Sequence, residues 1–248
     1  MRVIMRGDDL GFSEAVNYGI IKSIKDGLIT TVGLMPNMIE SSIHGANLIK
    51  DYPEICLGQH TNICLGKPIS DPNKIPSLVN ENGEFLSSSV YRTSKEDFVN
   101  FEEVVLEIEA QLKKYIELIG KKPEYLEGHA VESKNFFKAL EYVANNHNIL
   151  YIPLDIKTLR GINVRQCGFP KVKNGNYDVK SHVKDQIEST RKDEVLHLIF
   201  HPGYIDEFVM TYSSFNLLRC REVQLLCSKE LRNYFQEKEV EIISYRDL

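Results

Sequence analysis

Apolar positions along the chain switch repeatedly between an extended pattern and a helical period. The opening residues MRVIM form the apolar run of a buried strand, and Val16, Ile20 and Ile24 then recur at helical spacing until Gly27 ends the segment. LITTVGLMPN predicts a second strand, a helix is expected near residues 40–51, and ICLGQHTN predicts a third strand. This alternation favours right-handed crossovers and a mainly parallel sheet.

The alternation continues through the second half of the chain. A strong amphipathic helix is predicted at about 99–119, followed by the strand EYLEGHAVE, the helix FFKALEYVANNH and the strand ILYIPLD. VLHLIFHPGY is the last strong strand, REVQLLCSKELRNYFQEK one last helix, and VEIISYRDL a terminal strand and turn, whereas residues 156–190 show no firm pattern. Six or seven strand and helix units predict an α/β barrel or near-barrel.

Residues 66–98 interrupt this alternation. They are rich in Pro, Gly, Asn and Ser and have no clear period, and loops of such length in compact domains are usually functional lids or disordered. We expect a long excursion, a candidate lid, on which Phe85 or Tyr91 stacks against a bound sugar ring. A length of 248 residues is ordinary for one α/β barrel, so a single catalytic domain over 1–248 is predicted.

Composition narrows the class of protein. An apolar fraction of 42% and a charged fraction of 26% are those of a globular, water-soluble protein, and a net charge of -5 gives no broad basic field for nucleic acid or anionic membrane. The sequence begins directly with a strand pattern and shows no signal peptide or long apolar run, which predicts a cytoplasmic location. Five cysteines without CxxC spacing predict reduced thiols rather than disulfides.

Side chains of metal-ligand type stand where four of the predicted strands end. In a parallel α/β fold these carboxyl ends meet at one edge of the sheet, where the functional groups gather. We therefore expect them to form one site. They are Asp8 and Asp9 after the first strand, His60 and Asn62 after the third, His129 after EYLEG, and His201 after VLHLIF.

One carboxylate and two imidazoles suit a divalent metal that keeps open positions for water and substrate. Adjacent carboxylates such as Asp8 and Asp9 repel each other, but at a strand end the chain turns and both can face one cation that offsets their charge. One of the two would then bind the metal, and the other would accept a proton from water.

Other patterns are weaker. Cys56, His60 and Cys64 read as Cx3Hx3C, yet residues eight apart on an extended strand are about 26 Å distant and cannot share one zinc ion. His197 lies deeper in its strand than His201 and is predicted to be a core histidine. The segment GDDLG lacks the spacing of a phosphate-binding loop, and no GxSxG elbow is present.

Several segments, in order, resemble the YdjC-like carbohydrate deacetylases, the family that includes chitooligosaccharide deacetylase: RGDDLGFSEAVNYGI, DGLITTVGLMPNM, LGQHTNICLGKP, HPGYID and the closing REVQLL and EIISYRDL. The resemblance implies a distorted (β/α) barrel, TIM-barrel-like, with mostly parallel strands. It also implies removal of the acetyl group from a small-molecule N-acetylated saccharide with a divalent cation, Mg²⁺ first and Zn²⁺ as the alternative. A homodimer is a further implication.

Carried over by position, the family's metal ligands fall on Asp9, His60 and His129. Asp8 falls where the general base would sit, and His201 of HPGY where a second proton-transfer group would sit. The candidate substrate-binding residues are Asn62, Tyr204 and Arg221, the last of which matches the family's C-terminal Arg-Glu together with Glu222.

The chain departs from the family at the stretch usually written DSHxH, which here reads EGHAV. Glu127 replaces the aspartate and Val131 replaces a second histidine, while His129 is retained.

Two other functions are weighed against deacetylation. The first is glycoside hydrolysis, which needs carboxyl groups roughly 5–9 Å apart across a glycosidic bond, a separation that adjacent aspartates do not easily provide. The second is sugar binding without catalysis.

Overall fold

Strands and helices alternate in the computed structural model, which describes residues 1–167 and 178–248. The strands are β1 (Arg2–Leu10), β2 (Thr31–Leu34), β3 (Cys56–Thr61), β4 (Tyr125–Gly128), β5 (Leu150–Tyr151), β6 (Thr158–Leu159), β7 (Ile162–Cys167), β8 (Glu194–Phe200) and β9 (Glu241–Ile243). The helices are α1 (Glu14–Lys25), α2 (Ile39–Ile49), α3 (Ser88–Thr93), α4 (Phe101–Ile119), α5 (Lys134–His147), α6 (Val179–Ser189), α7 (Glu207–Tyr212), α8 (Leu217–Leu226) and α9 (Lys229–Glu237).

The strands form one curled sheet in the order β5-β4-β3-β2-β1-β8-β7-β6, and β9 pairs with the beginning of β1. All neighbours are parallel except the β6–β7 hairpin. Within the described residues no pairing joins β5 to β6, so the sheet is an open, half-closed barrel, and the predicted distorted (β/α) barrel is confirmed. In the same parts of the chain, no helix has the length and apolar character needed to cross a bilayer.

The central strand β1 has two different faces. Val3 and Met5 belong to the core between the sheet and its helices, whereas Ile4 packs with Tyr125 and Tyr245 in a separate cluster. Because side chains alternate along a strand, Arg6 and Asp8 follow Ile4 on that second face. Strand β1 therefore carries charged groups into the half-barrel near its carboxyl end.

Two regions differ from the sequence-based expectations. The predicted last helix is wrong as one element, because the Ser228 hydroxyl accepts from the backbone N–H of Leu231 and starts α9 separately from α8. The stretch 156–190, which showed no firm pattern, contains β6, β7 and α6, and β7 pairs along its length with β8. The rest of that stretch, residues 168–177, lies outside the described residues.

The excursion 66–98 is tied to the fold by buried groups. The carboxylate of Glu107 on α4 accepts from the backbone N–H of Ile69 at 3.1 Å and of Ser70 at 2.8 Å. Phe85 and Tyr91 are both buried in an apolar cluster, and the Tyr91 hydroxyl donates to the carbonyl of Ile63 at 2.7 Å. The expectation that either ring stacks on a sugar is contradicted, because these aromatic rings close the core under the excursion.

Candidate active site

Three side chains at the carboxyl ends of three strands bring one atom each to a common point: Asp9 in β1, His60 in β3 and His129 directly after β4. The Oδ1 atom of Asp9 lies 3.1 Å from Nε2 of His60 and 3.1 Å from Nδ1 of His129. The two imidazole nitrogens are 2.9 Å apart. Asp9 lies near the end of β1 and has a positive φ of 75°, a left-handed conformation that aspartate tolerates better than most residues. The irregular β1–β2 register between Gly7 and Leu10 accompanies this turn.

This arrangement fits a divalent cation. Asp9 Oδ1 is buried and has no hydrogen bond of acceptable geometry, although two imidazole nitrogens lie next to it. Ligands at 90° around an ion with bonds of about 2.1 Å lie about 3.0 Å apart, close to the three separations seen here. Carboxylate and imidazole are also a typical donor set for divalent metals. The side chains of Asp9, His60 and His129 therefore form a candidate metal site.

The second oxygen of Asp9 has a cationic partner. Arg219 of α8 donates through Nη2 to Asp9 Oδ2 at 2.7 Å, and its side chain is almost wholly buried. Burial by itself raises the pKa of Asp9, but the Arg219 guanidinium, followed by His129, outweighs it and holds that pKa well below its ordinary value. Asp9 is therefore ionised, with Oδ1 directed at the two histidines.

Asp8 lies in a different environment from Asp9. Its Oδ2 accepts from Arg6 Nη2 at 2.8 Å, and the same guanidinium nitrogen lies 3.5 Å from Oε2 of Glu127. On its other side, Glu127 accepts from Nδ1 of His60. The two aspartates therefore have different charge partners, Arg6 for Asp8 and Arg219 for Asp9, so the single shared cation expected from the sequence is not needed to offset both charges.

The pKa values of both imidazoles at this site are raised when no metal is bound. Burial alone would lower the pKa of His60, but the carboxylates of Glu127 and Asp8 raise it well above its ordinary value. For His129, burial is likewise outweighed by Asp9, and the pKa rises to about 9. A cation at this site would therefore replace protons and would offset the same carboxylate charge.

His201 follows β8, and two side chains of α8 bind its backbone. Its N–H donates to Glu222 Oε2 at 2.5 Å, and its carbonyl accepts from Arg219 Nη1 at 3.4 Å. The ring packs edge-on against Phe215, with centroids 5.8 Å apart. Burial lowers the pKa of His201 to about 4, the nearby aspartates only partly opposing it, so the imidazole is neutral at pH 7.

A cleft of about 230 Å³ opens at the candidate metal site. Its lining includes Asp9, His129, His201 and Arg219, but not Asp8. Apolar surface comes from two aromatic rings that flank the Arg219 guanidinium, Phe12 at 5.0 Å and Phe215 at 5.8 Å from centroid to Cζ. Polar groups at the wall come from Ser88 and Arg92 of the excursion 66–98 and from Ser213 and Ser214 before α8. Apolar rings beside polar groups suit a sugar.

The three predicted substrate-binding residues lie in different surroundings. Asn62 is wholly buried, and its amide donates to Asn37 Oδ1 and the Leu65 carbonyl, at 3.0 and 2.8 Å, and accepts from the Cys64 N–H. Tyr204 is 40% exposed, and its backbone N–H donates to the carbonyl of Ala15. Arg221 is exposed on α8 and is not part of the cleft lining.

Sequence reasoning missed Arg219, because the apolar residues of α8 are spread almost evenly around the helix and mark no buried face. In the structure, Arg219 shares a face with Glu222, Val223 and Leu226, three, four and seven positions later, all of which are buried. Arg221 lies about 200° away around the helix and is exposed. Only the folded structure therefore distinguishes the buried arginine from the exposed one.

Two residues of EGHAV, the stretch where the chain departs from the family pattern, have well-defined surroundings in the structure. Glu127 contacts His60 directly and so belongs to the site, a role that the sequence comparison of Glu with Asp did not predict. Val131 is buried in the apolar cluster of Ile63 and Phe136 rather than in the cleft. Position 131, where the family resemblance predicts a second histidine, is therefore part of the core in this chain.

Comparison with known proteins agrees with this picture. The family model described as YdjC-like protein matches residues 2–237. A protein of Listeria innocua named carbohydrate deacetylase 2 is 32% identical over 100% of this chain and 99% of its own length. A carbohydrate deacetylase of Clostridium beijerinckii is 28% identical, with both chains covered completely.

The fold is also found in a solved structure that matches nearly the whole chain. It is a crystal structure of a protein from Enterococcus faecalis V583, described provisionally as a cellobiose-phosphate cleavage protein. It superposes with a TM-score of 0.82 at 22% identity, covering 99% of this chain and 98% of its own. At that level of identity the similarity shows the fold alone.

Proposed function

Because this chain belongs to the YdjC-like protein family, we propose that it is a carbohydrate deacetylase, which hydrolyses the acetamide of an N-acetylated sugar or oligosaccharide and releases acetate. Relatives that cover its whole length carry the name carbohydrate deacetylase. The observation that carries the proposal is the convergence of Asp9 Oδ1, His60 Nε2 and His129 Nδ1 at the cleft. We propose residues 1–248 as one catalytic domain.

The cation proposed for this site would be held by Asp9, His60 and His129. The family resemblance favours Mg²⁺, whereas two imidazole ligands favour a transition metal such as Zn²⁺. A divalent cation bound there would polarise the acetyl carbonyl and lower the pKa of water. Arg219 supports this function by fixing Oδ2 of Asp9, which leaves Oδ1 for the ion.

Asp8 and His201 are proposed as the two proton-transfer groups. Asp8 Oδ1 is buried without a hydrogen-bond partner and can accept the first proton as the oxygen of water bonds to the acetyl carbon. His201 is neutral at rest, so it takes the second proton of that water and passes it to the sugar nitrogen as the C–N bond breaks. The products are acetate and the free amino sugar. The family resemblance also proposes Asn62, Tyr204 and Arg221 as substrate-binding residues, although none of the three is in the cleft lining.

The test uses purified protein, di-N-acetylchitobiose, and metal-free, Mg²⁺ or Zn²⁺ conditions, with acetate and new reducing ends measured together. We expect acetate only when metal is present and no new reducing ends. The matched variants are D9N, which should lose the activity, and D193N, which removes an exposed carboxylate and should keep it. New reducing ends would indicate glycoside hydrolysis, and neither product with measurable sugar binding would indicate a binding protein.

Two further features of the protein are proposed. We propose that it acts in the cytoplasm on a small-molecule saccharide and, from the family resemblance, that it forms a homodimer. Light scattering coupled to size exclusion should give twice the mass of one chain, and a mass of one chain would exclude the dimer.

A further inference from the structure

Arg6 is a buried cation whose guanidinium faces two carboxylates inside the half-barrel. Only 5% of the residue is exposed, and Nη2 lies 2.8 Å from Asp8 Oδ2 and 3.5 Å from Glu127 Oε2. A buried charge is costly unless it is paired, and here one guanidinium balances two acids from neighbouring parts of the site. Nη2 faces both acids while Nη1 donates to the Tyr245 hydroxyl, so the planar fork reaches three groups that a lysine ammonium would have to reach from one atom.

Glu127 connects Arg6 to a proposed metal ligand. Its Oε1 accepts from Nδ1 of His60, and its Oε2 faces Arg6. A carboxylate only accepts, so Nδ1 of His60 carries a proton, and Nε2 is the atom that faces Asp9 and His129 and that a cation would bind. Space around the contact is limited, since a Cβ atom on Gly33 would lie 2.9 Å from both Glu127 Oε1 and His60 Cβ.

Arg6 is itself held by the C-terminal part of the chain. Its Nη1 donates to the hydroxyl of Tyr245 at 3.3 Å, and that hydroxyl lies 2.8 Å from Nε2 of buried His197. Tyr245 also packs against Tyr125 with ring centroids 4.8 Å apart. The guanidinium is therefore fixed by groups from β8, β4 and the end of the chain rather than by β1 alone.

We propose that Arg6 is a positioning residue that acts through Glu127 to fix the ring of His60, so that Nε2 is directed at the cation site. The proposal rests on the proposed function only in taking Asp9, His60 and His129 as the ligands. Asp8, His60 and Glu127 also come close enough to be read as a second cation site. The Arg6 guanidinium lies beside both Asp8 and Glu127, so it already supplies the positive charge that a cation at this second position would supply.

The first measurement is the affinity for Zn²⁺, by competition with a chromophoric chelator. Removing the partner of a metal-ligating histidine typically weakens metal binding 10- to 100-fold. We expect weakening of that size for E127M and R6M, and no further loss in the double variant R6M/E127M, because both side chains act on the same imidazole. R246M is the matched control, since Arg246 also pairs with a glutamate, Glu124, but away from the cleft, and should bind Zn²⁺ as wild type does.

The second measurement follows the Nδ1–H proton of His60 by NMR of protein labelled with ¹⁵N-histidine. Wild type and R246M should show a downfield, hydrogen-bonded Nδ1–H signal with or without Zn²⁺, and R6M should lose or shift it. If R6M does not fold, R6K keeps a charge near Asp8 without the fork and should show the same change in smaller measure. Unchanged Zn²⁺ affinity and an unchanged His60 signal in the Arg6 variants would overturn the proposal. Failure of wild type to bind Zn²⁺ or Mg²⁺ would count against the proposed function, while the His60 signal would still decide the role of Arg6.

Discussion

Arg219 and Asp9 form a buried ion pair across 210 residues of sequence, with 2.7 Å between Nη2 and Oδ2. The guanidinium also donates through Nε to the carbonyl of Phe215 at 2.7 Å. Arg219 thus occupies one oxygen of the carboxylate and leaves the other facing two imidazoles. The same aspartate can therefore keep its charge in the metal-free chain and offer one oxygen to a cation.

We expect R219M to destabilise the metal-free protein strongly. Breaking a buried pair by removing one partner typically costs about 3–5 kcal/mol, because the remaining charge stays buried. A divalent cation would compensate Asp9 in the variant, so Zn²⁺ should recover more stability in R219M than in wild type. Urea unfolding with and without Zn²⁺ measures both effects, with R246M as the control. Equal responses to Zn²⁺ in the two proteins would contradict this role of Arg219.

Asp8→Asn should separate proton transfer from metal binding. Loss of a general base typically lowers kcat by about 10²- to 10⁴-fold, whereas Asp8 lies outside the candidate ligand set of Asp9, His60 and His129. Acetate release and Zn²⁺ titration on the same preparation measure the two properties. A variant that loses Zn²⁺ while D9N keeps it would show that the proposed roles of the two aspartates are reversed.

Restoring a histidine at position 131 should not improve the enzyme. Val131 is 3% exposed among apolar side chains, so an imidazole there would be buried without an obvious partner, at a cost of about 1–3 kcal/mol. We expect V131H to unfold at lower urea and to release acetate no faster than wild type. V131L separates the effect of size from that of polarity. Faster turnover in V131H would mean that this position does reach the substrate.

Glu107 makes the attachment of the excursion 66–98 dependent on pH. Burial raises the pKa of Glu107, although hydrogen bonds from Gln111 and Ser70 partly oppose the shift. A carboxyl group whose pKa is raised in the folded state binds its proton more tightly there, so its contribution to stability falls as pH rises from the unfolded pKa through the folded one. E107Q does not titrate, and it should lose part of the contacts to Ile69 and Ser70.

The free energy of unfolding lost in E107Q should therefore be larger near pH 4.5 than near pH 8. Urea unfolding at the two pH values measures the difference, and E102Q, at an exposed position of the same helix, provides the control. A loss in E107Q that grows with pH would contradict the raised pKa and would indicate that the ionised carboxylate is the stabilising form.

Much of the fold was accessible from the sequence because its signals are local. The strand runs and the helix near 99–119 predicted the alternation seen from β1 to α5, since side-chain periodicity depends only on neighbours along the chain. The long C-terminal helix was predicted wrongly because its apolar pattern continues across Ser228, while the break depends on a cap. Strand β7 was missed because its burial is set by β8 and not by its own pattern.

By itself the sequence determined which strand ends carry ligand-type groups, and Asp9, His60 and His129 do converge there. Only the tertiary structure decided the charge partners. It pairs Asp9 with Arg219, gives Asp8 the cation Arg6, and uses Glu127 to hold His60. The physical reason is that strand and helix periodicity is written in neighbouring residues, whereas a buried charge is stabilised by whichever partner the folded chain brings within hydrogen-bond distance.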